Sequence, residues 1–237
     1  MKMNYCEREK SIMNLLIIVP AYNESGNIKK TINNIKENGN YDYLIVDDCS
    51  NDNTYEICVN NDYNVIHLPV NYGLTSAVQI GFKYALKHGY DAALQFDGDG
   101  QHDAKYIKSM LTALEENDIV IGSRFVEKKK EFTSRMIGSR LLSFLIKITT
   151  GKKVHDPTSG MRMFRKEVFE QFAHEINYPP EPDTLVYMIR KNKRIKEVQV
   201  EMSDREYGES YLNPIRSVTY MLEMIVSIFF IQLFRKR

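Results

Sequence analysis

Two aspartates one residue apart, Asp97 and Asp99, are the side chains of this 237-residue sequence best suited by type and spacing to chemistry. They follow a short apolar run, Ala92–Phe96, that is typical of a buried strand. Gly98 and Gly100 leave the backbone free to turn and leave room for a ligand. Carboxylates placed in this way suit Mg²⁺ or Mn²⁺, which would in turn hold a diphosphate. The alternative is an ordinary polar turn, because Asp-Gly pairs commonly form turns.

The elements that must position this motif alternate between strand and helix, which predicts an α/β fold with a mostly parallel sheet covered on both faces. Apolar runs predict strands at Leu15–Val19, Tyr43–Val46, Asn64–Leu68, Ala92–Phe96 and Ile119–Ile121. The first of these strands is expected to end at Pro20. Helical spacing predicts helices between them, among them a long one near Thr75–Lys87.

Polar clusters follow four of the predicted strands. They are Ala21–Glu24, Asp47–Thr54, Asn71–Gly73 and Asp97–Asp103. In parallel sheets ligands bind beyond the carboxyl ends of the strands, so these clusters are expected to converge on one edge of the sheet. That convergence favours a binding site over a set of unrelated surface turns.

Composition excludes some classes of function. Hydrophobic residues make up 43% and charged residues 27% of the chain, which is typical of a folded globular protein. Lys and Arg number 32 against 31 Asp and Glu, so the net charge of +1 gives no indication of nucleic-acid binding. Cys6, Cys49 and Cys58 have no metal-ligand spacing and indicate reduced thiols in the cytosol.

A series of motifs, in order from about residue 14 to 212, resembles family 2 glycosyltransferases of the GT-A fold. The branch is the one that contains polyprenyl-phosphate sugar transferases. The matching segments are Pro20–Glu24, Val46–Thr54, Asn71–Gly73, Asp97–His102, Asp156–Arg162 and Arg205–Ser210. The resemblance implies a Rossmann-like, mostly parallel sheet with helices on both faces over residues 1–213, followed by a C-terminal amphipathic helix at 214–237.

The resemblance implies a metal-dependent, inverting, hexosyltransferase-like enzyme that uses a nucleotide-diphosphate sugar. It assigns Mg²⁺ or Mn²⁺ to Asp97, Asp99 and Gln101. It assigns donor binding to Pro20, Ala21, Tyr22, Glu24, Asp47, Asp48, Asn71, Gly73, Asp97 and Gly98. Either Asp47 or Asp48 would contact the base. Glu24 has an alternative role at the start of a helix, where a carboxylate is favoured, and His102 either approaches the phosphates or supports the loop.

On the acceptor side, the resemblance assigns Asp156, Ser159, Gly160 and Arg162. A sugar hydroxyl must lose its proton to a base, for which Glu181 is the first candidate and Asp183 the second. A phosphate acceptor is already ionised and needs little base catalysis. Arg205 would then clamp a phosphate, since a guanidinium matches phosphate oxygens. Tyr211 stands where the common form of this element has Lys, which leaves the acceptor open.

Two segments indicate contact with a membrane surface. The helical stretch Ser134–Thr150 combines a polar stripe, Arg135, Ser139, Ser143 and Lys147, with a broad apolar surface. Such a helix lies on a membrane or packs in the core. The apolar stretch Pro214–Phe234 carries Glu223, which would cost roughly 2.5–3.5 kcal/mol in mid-bilayer. An interfacial or protein-packed helix is therefore favoured over a membrane span.

The sequence thus predicts transfer of a sugar to a polyprenyl-phosphate or lipid-linked glycan acceptor in cell-surface glycan synthesis. The enzyme is expected to be cytoplasmic and peripheral at the inner face of the cell membrane. The alternatives are a glycosyltransferase acting on a hydroxyl of a soluble acceptor and a catalytically silent membrane-associated scaffold. A sugar-1-phosphate nucleotidyltransferase would need a Gly- and Arg-rich loop after its first strand, which Pro20–Glu24 lacks. Donor sugar, nucleotide base and oligomeric state stay open.

Overall fold

Strands and helices alternate along the chain, as the hydrophobic pattern predicts. A computed structural model describes residues 13–128, 134–175, 181–203 and 214–231, with the backbone alone at 134–135, 137, 214–218 and 230–231. The strands are β1 Leu15–Ala21, β2 Asp42–Asp47, β3 Val65–His67, β4 Ala92–Gln95, β5 Ile119–Ser123, β6 Arg162–Arg165 and β7 Ile195–Gln199. The helices are α1 Ile28–Glu37, α2 Thr54–Asn60, α3 Leu74–Lys87, α4 Ile107–Leu114, α5 Ser134–Thr150, α6 Lys166–His174, α7 Pro182–Arg190 and α8 Pro214–Val226. A 3₁₀ turn, Ala104–Tyr106, precedes α4, and a π-helical turn, Ser227–Ile231, continues α8.

The strands form one seven-stranded sheet in the order β3-β2-β1-β4-β6-β5-β7. β1 pairs in parallel with β2 and β4, while β6 runs antiparallel between β4 and β5. The predicted α/β class with a mostly parallel sheet is confirmed. β2 and β3 lie on one side of β1 in the sheet, and β4 lies on its other side, so the strand order reverses at β1. Open α/β sheets bind ligands at the point where the strand order reverses.

β1 lies at the centre of the sheet and is buried on both faces. Leu16 and Ile18 join one hydrophobic cluster, while Ile17 and Val19 join the cluster on the opposite face. The expectation that β1 ends at Pro20 is wrong, because the strand continues to Ala21. Proline lacks only the backbone donor, and the Pro20 carbonyl still accepts a hydrogen bond from the Gly98 N–H at 3.2 Å.

α5 buries part of its polar stripe and exposes part of its apolar surface. Ser139 is buried, and the Ser143 hydroxyl donates to the Ser139 carbonyl at 2.9 Å. A serine that bonds its hydroxyl to the preceding turn can face the interior. Apolar side chains are exposed instead, at Leu141, Phe144 and Ile148. The sequence leaves two positions open for α5, on a membrane or in the core; the helix packs on α7 and α8 and also exposes these apolar side chains.

α8 packs on α5, and its π-helical continuation contacts both α5 and α7. Met224 and Ile228 are buried in this contact, whereas Leu222 and Val226 on the other side are exposed. Within the part of the chain that the structure describes, no helix is long and apolar enough to cross a membrane. A division of the chain into domains at residue 213 stays a prediction.

Candidate active site

The polar clusters after β1, β2, β3 and β4 meet at the carboxyl ends of these strands, and we call this edge the carboxyl-end rim. The Asn23 N–H donates to the Ser50 hydroxyl at 2.9 Å, which joins the loops after β1 and β2. The Gly98 N–H joins the loop after β4 to the end of β1. The predicted convergence is thus observed as direct hydrogen bonds between the loops.

Asp97 is held from two sides at the end of β4. The Gln95 amide donates to its Oδ1 at 2.9 Å, and His102 Nε2 lies 3.3 Å from its Oδ2. Burial by itself would raise the pKa of Asp97, but the His102 and Gln95 contacts and the nearby Arg162 charge bring it below the ordinary value. Asp97 is therefore an ionised carboxylate with a fixed orientation.

Gly98 and Gly160 allow the backbone to approach Asp97 closely. A Cβ added at Gly98 would lie 3.0 Å from the Pro20 carbonyl oxygen. A Cβ added at Gly160 would lie only 2.2 Å from Asp97 Oδ2. The segment predicted on the acceptor side therefore packs directly against the first aspartate of the acidic motif.

The donor set of the acidic motif fits a divalent cation that is shared with a phosphate ligand. The described residues contain no cluster of three His, Cys, Asp or Glu side chains able to hold a metal ion. Mg²⁺ usually binds through one or two carboxylates together with substrate phosphates and water. Asp97 and Asp99 supply two carboxylates at the rim. The Gln101 side-chain amide donates to the Ser203 carbonyl at 3.2 Å, and in this arrangement it ties the loop to the segment after β7.

Asp47 and Asp48 are both buried and hold together the loops that are predicted to bind the donor. Asp47 accepts a hydrogen bond from the Ser50 hydroxyl, and its Oδ2 lies 2.5 Å from His67 Nδ1. The two Asp48 oxygens accept the N–H groups of Tyr72 and Gly73 at 2.8 and 2.7 Å. Gly73 has a φ of +85°, a backbone conformation that favours glycine. Both carboxylates therefore fix the loops after β2 and β3 from within the protein.

Of the side chains after β1, Tyr22 faces solvent and Glu24 faces the protein. Tyr22 is 42% exposed, and the Asn51 amide donates to its hydroxyl at 3.2 Å. Glu24 is buried and accepts the Asn27 side-chain amide at 2.7 Å, immediately before α1. Its contacts match the alternative role of Glu24 at the start of a helix. Asn71 is exposed on the loop after β3.

The predicted acceptor-side residues Asp156, Ser159 and Arg162 are buried and engaged within the protein. Arg124 binds Asp156 through two hydrogen bonds of 2.7 and 2.9 Å. The Ser159 hydroxyl donates to the Gly122 carbonyl at 2.5 Å. These residues fix the loop that carries Gly160, so they influence the rim through the loop and not by exposure at its surface.

Arg162 is a buried guanidinium at the centre of this region. It donates to the carbonyls of Ser159 at 2.9 Å, Pro157 at 2.6 Å and Glu181 at 3.3 Å. Burial lowers its pKa, and nearby acidic groups, Glu181 among them, oppose that shift. Arginine stays charged in proteins, so Arg162 offsets part of the negative charge gathered around Asp97.

The two candidate bases lie at the start of α7. Glu181 precedes the helix, and burial raises the pKa of its carboxyl above the ordinary value. Asp183 is buried in the first turn, and its Oδ1 accepts the Thr184 N–H at 2.7 Å. The candidate phosphate clamp, Arg205, lies outside the described residues.

Residues 16–172 match the sequence profile described as glycosyl transferase family 2. The chain belongs to this family.

Characterised relatives of this family 2 glycosyltransferase match most of its length. An undecaprenyl-phosphate mannosyltransferase of Micrococcus luteus is 31% identical, with 85% of this chain and 88% of the relative covered. A UDP-N-acetylglucosamine–dolichyl-phosphate N-acetylglucosaminyltransferase of Methanococcus voltae is 32% identical, with 82% and 87% covered.

Among solved structures, glucosyl-3-phosphoglycerate synthase of Mycobacterium tuberculosis with phosphoglyceric acid superimposes with a TM-score of 0.67 at 18% identity. That match covers 91% of this chain and 79% of the other, and it confirms the predicted GT-A fold. The same synthase has also been solved with Mn²⁺, UDP and phosphoglyceric acid, with a TM-score of 0.64 at 16% identity and coverage of 91% and 77%.

Several residues that contact the candidate site residues are not predicted by the sequence. Gln95 carried a signal, because it is a polar residue inside an apolar strand just before the acidic motif. Arg124 also carried one, since it directly follows β5. Tyr220 and Ser227, which contact Glu181 and Asp183, lie in an apolar stretch where local pattern gives no indication of such partners.

Proposed function

We propose that this family 2 glycosyltransferase moves a sugar, with inversion, from a nucleotide-diphosphate sugar to a polyprenyl-phosphate or lipid-linked glycan acceptor. The observation that carries the proposal is the position of Asp97 and Asp99 at the carboxyl-end rim, next to Gly160. The names of the Micrococcus and Methanococcus relatives give undecaprenyl phosphate and dolichyl phosphate as acceptors, which supports this acceptor class.

On the donor side, Asp97 and Asp99 would hold Mg²⁺ or Mn²⁺ together with diphosphate oxygens of the donor. When bound, the ion supplies positive charge to the leaving nucleoside diphosphate. Gln95 and His102 keep the Asp97 carboxylate oriented. The distantly related Mycobacterium synthase, solved with Mn²⁺ and UDP, supports this assignment.

The base and ribose would lie against the loops after β1, β2 and β3. Tyr22 offers an exposed ring for the nucleoside. The buried carboxylates of Asp47 and Asp48 hold the surrounding loops, Asp48 through the N–H groups of residues 72 and 73. Their contribution to nucleotide binding is therefore to fix the shape of the pocket before the donor arrives.

On the acceptor side, Glu181 or Asp183 would accept the proton of a sugar hydroxyl. The raised pKa of Glu181 suits a general base, whose pKa is best placed near the working pH. A polyprenyl phosphate needs no such base, and Arg205 would then bind its phosphate.

Contact with the membrane would bring the enzyme to a lipid acceptor. The neighbouring helices α5 and α8 expose apolar side chains, which are Leu141, Phe144, Ile148, Leu222 and Val226. Lys147 lies on α5 among them. Apolar side chains next to cations suit the surface of an anionic membrane.

The proposal is tested with purified protein, UDP-, GDP- and dTDP-sugars, and polyprenyl phosphate as acceptor. Transfer should require Mg²⁺ or Mn²⁺ and should fall by about 100-fold or more in Asp99→Ala, because a metal ligand is lost. Asp42→Ala is the matched control, since Asp42 lies at the amino end of β2, away from the rim. Full activity of Asp99→Ala would remove the metal assignment. Transfer to soluble sugars but not to polyprenyl phosphate would favour the alternative acceptor, and absence of nucleotide binding with metal would favour a silent scaffold.

A further inference from the structure

The C-terminal helix supplies hydroxyl groups to both candidate bases of α7. The Tyr220 hydroxyl of α8 donates to Glu181 Oε2. The Ser227 hydroxyl, at the start of the π-helical turn, donates to Asp183 Oδ2 at 2.6 Å. Tyr220 and Ser227 are about two helical turns apart and therefore lie on the same side of the helix.

The hydroxyls of Tyr220 and Ser227 are polar groups, in contrast to the buried side chains next to them on the helix. The neighbouring buried side chains of this helix, Met224 and Ile228, are apolar. Apolar side chains at all of these positions would be enough to dock the helix on α5. Instead, the buried Ser227 and the partly buried Tyr220 each donate to a carboxylate at the start of α7, where the candidate bases lie. The π-helical turn begins at Ser227, and such turns are frequent at functional sites.

Charges on three elements act on Glu181. Burial raises the pKa of its carboxyl, and the charges of Asp183 on α7 and Glu223 on α8 raise it further. The Tyr220 hydrogen bond and the Arg162 guanidinium on β6 oppose that rise. Burial also raises the pKa of Tyr220, so this phenol keeps its proton and stays a donor.

We propose that Tyr220 and Ser227 are positioning residues, which orient the Glu181 and Asp183 carboxylates toward the acceptor. The C-terminal helix is then part of the acceptor site in addition to any contact with the membrane. A donated hydrogen bond fixes the rotamer of a carboxylate and stabilises its ionised form. This inference rests on the proposed function, because it takes the start of α7 as the acceptor side.

The first test compares Tyr220→Phe with Tyr90→Phe. Both changes remove one hydroxyl that donates to a carboxylate, but Tyr90 bonds Asp42 at the amino end of β2, at 3.1 Å. In Tyr220→Phe we expect kcat to fall, or the acceptor KM to rise, by about tenfold, while the donor KM is unchanged. With a sugar-hydroxyl acceptor, the acid limb of the pH–rate profile should move up by about one pH unit, since the ionised form of Glu181 loses a donor. Tyr90→Phe should match the wild type.

A second readout does not depend on turnover. The titration of Glu181 is followed by NMR of protein labelled with ¹³C at the glutamate carboxyl groups, with Glu181→Gln identifying the signal. Tyr220→Phe should raise the Glu181 pKa, and Tyr90→Phe should leave it unchanged. If no nucleotide sugar is turned over by the wild type, the proposed function fails, whereas this titration still reports on the Tyr220 contact.

A wild-type acceptor KM, pH profile and Glu181 titration in folded Tyr220→Phe would overturn the inference. If Tyr220→Phe does not fold, Ser227→Ala takes its place, with Ser109→Ala as its control because the Ser109 hydroxyl bonds an exposed backbone carbonyl, that of Tyr106. Ser227→Ala should lower kcat or raise the acceptor KM severalfold at unchanged donor KM. Wild-type kinetics of Ser227→Ala would then overturn the inference.

Discussion

At the scale of single residues, Asp97 shows how the protein holds a carboxylate in one orientation. Its two oxygens face Gln95 and His102, and the backbone at Gly160 closes over Oδ2. Rotation of the carboxylate would break at least one of these contacts. The motif therefore depends on residues outside its own short segment.

Gly160→Ala should weaken the metal site more than it weakens the fold. The new Cβ would lie 2.2 Å from Asp97 Oδ2, so the carboxylate must turn away from Gln95 or His102. We expect metal-dependent transfer to fall by about tenfold or more, and half-maximal activity to need more Mg²⁺. Activity is measured across a Mg²⁺ titration, with thermal unfolding as the measure of stability.

Gly89→Ala is the matched control for this change. It adds a methyl group at a positive φ, where the new Cβ meets nothing within 4 Å, at the loop before β4. Its stability should fall by about 1 kcal/mol while its Mg²⁺ dependence stays that of the wild type. A wild-type Mg²⁺ titration in Gly160→Ala would show that the orientation of Asp97 is not needed.

At the scale of elements, buried charges join the loops to the sheet. Arg162, on β6, bonds the carbonyls of the acceptor-side loop and the one that precedes α7. Arg124, just after β5, binds Asp156 of the same loop. Arginines on or next to the neighbouring strands β5 and β6 thus fix the acceptor-side loop and the start of α7. They do so from inside the protein and do not lie at the rim themselves.

Arg162→Met should destabilise the protein by about 3 kcal/mol or more. It removes a buried guanidinium and leaves three carbonyl oxygens without their donor. The free energy of unfolding is measured in urea. Arg194→Met is the control, because Arg194 is 60% exposed and its bond to Asp118 should contribute less than about 1 kcal/mol. Equal losses in the two variants would mean that Arg162 does not hold the loop.

At the scale of the whole molecule, the surface formed by α5 and α8 differs from an ordinary solvated surface. Phe144 and Ile148 on α5 are 57% and 59% exposed, and Leu222 on α8 is 59% exposed. On its inner side, α8 reaches Glu181 through Tyr220, and its π-helical continuation reaches Asp183 through Ser227. One helix therefore connects the proposed membrane surface with the proposed acceptor site.

Phe144→Glu should weaken binding to anionic phospholipid vesicles by about tenfold or more, since a buried aromatic ring contributes roughly 1.5–3 kcal/mol. Binding is measured by co-sedimentation. The control is Val59→Glu, which makes the same charge change at an exposed apolar residue of α2. Equal binding by the two variants would argue against this surface as the membrane contact.

The order of β1 to β5 and of the helices between them followed from the sequence, because a core strand is a short apolar run and a core helix repeats its apolar residues. β6 and β7 were not among the predicted strands. The rim followed as well, since polar residues after parallel strands must meet at one edge. On α5, polarity did not show which side chains are buried, because a serine can bond its hydroxyl to its own helix and face the interior.

The sequence by itself determined the fold class, the family and the acidic motif, because each is encoded in residues that are close together in the chain. Only the tertiary structure decided which partners hold each carboxylate. Gly160 meets Asp97 from another strand's loop, and Tyr220 meets Glu181 from 39 residues away. Such contacts depend on how distant segments pack, and packing is decided by the whole core at once.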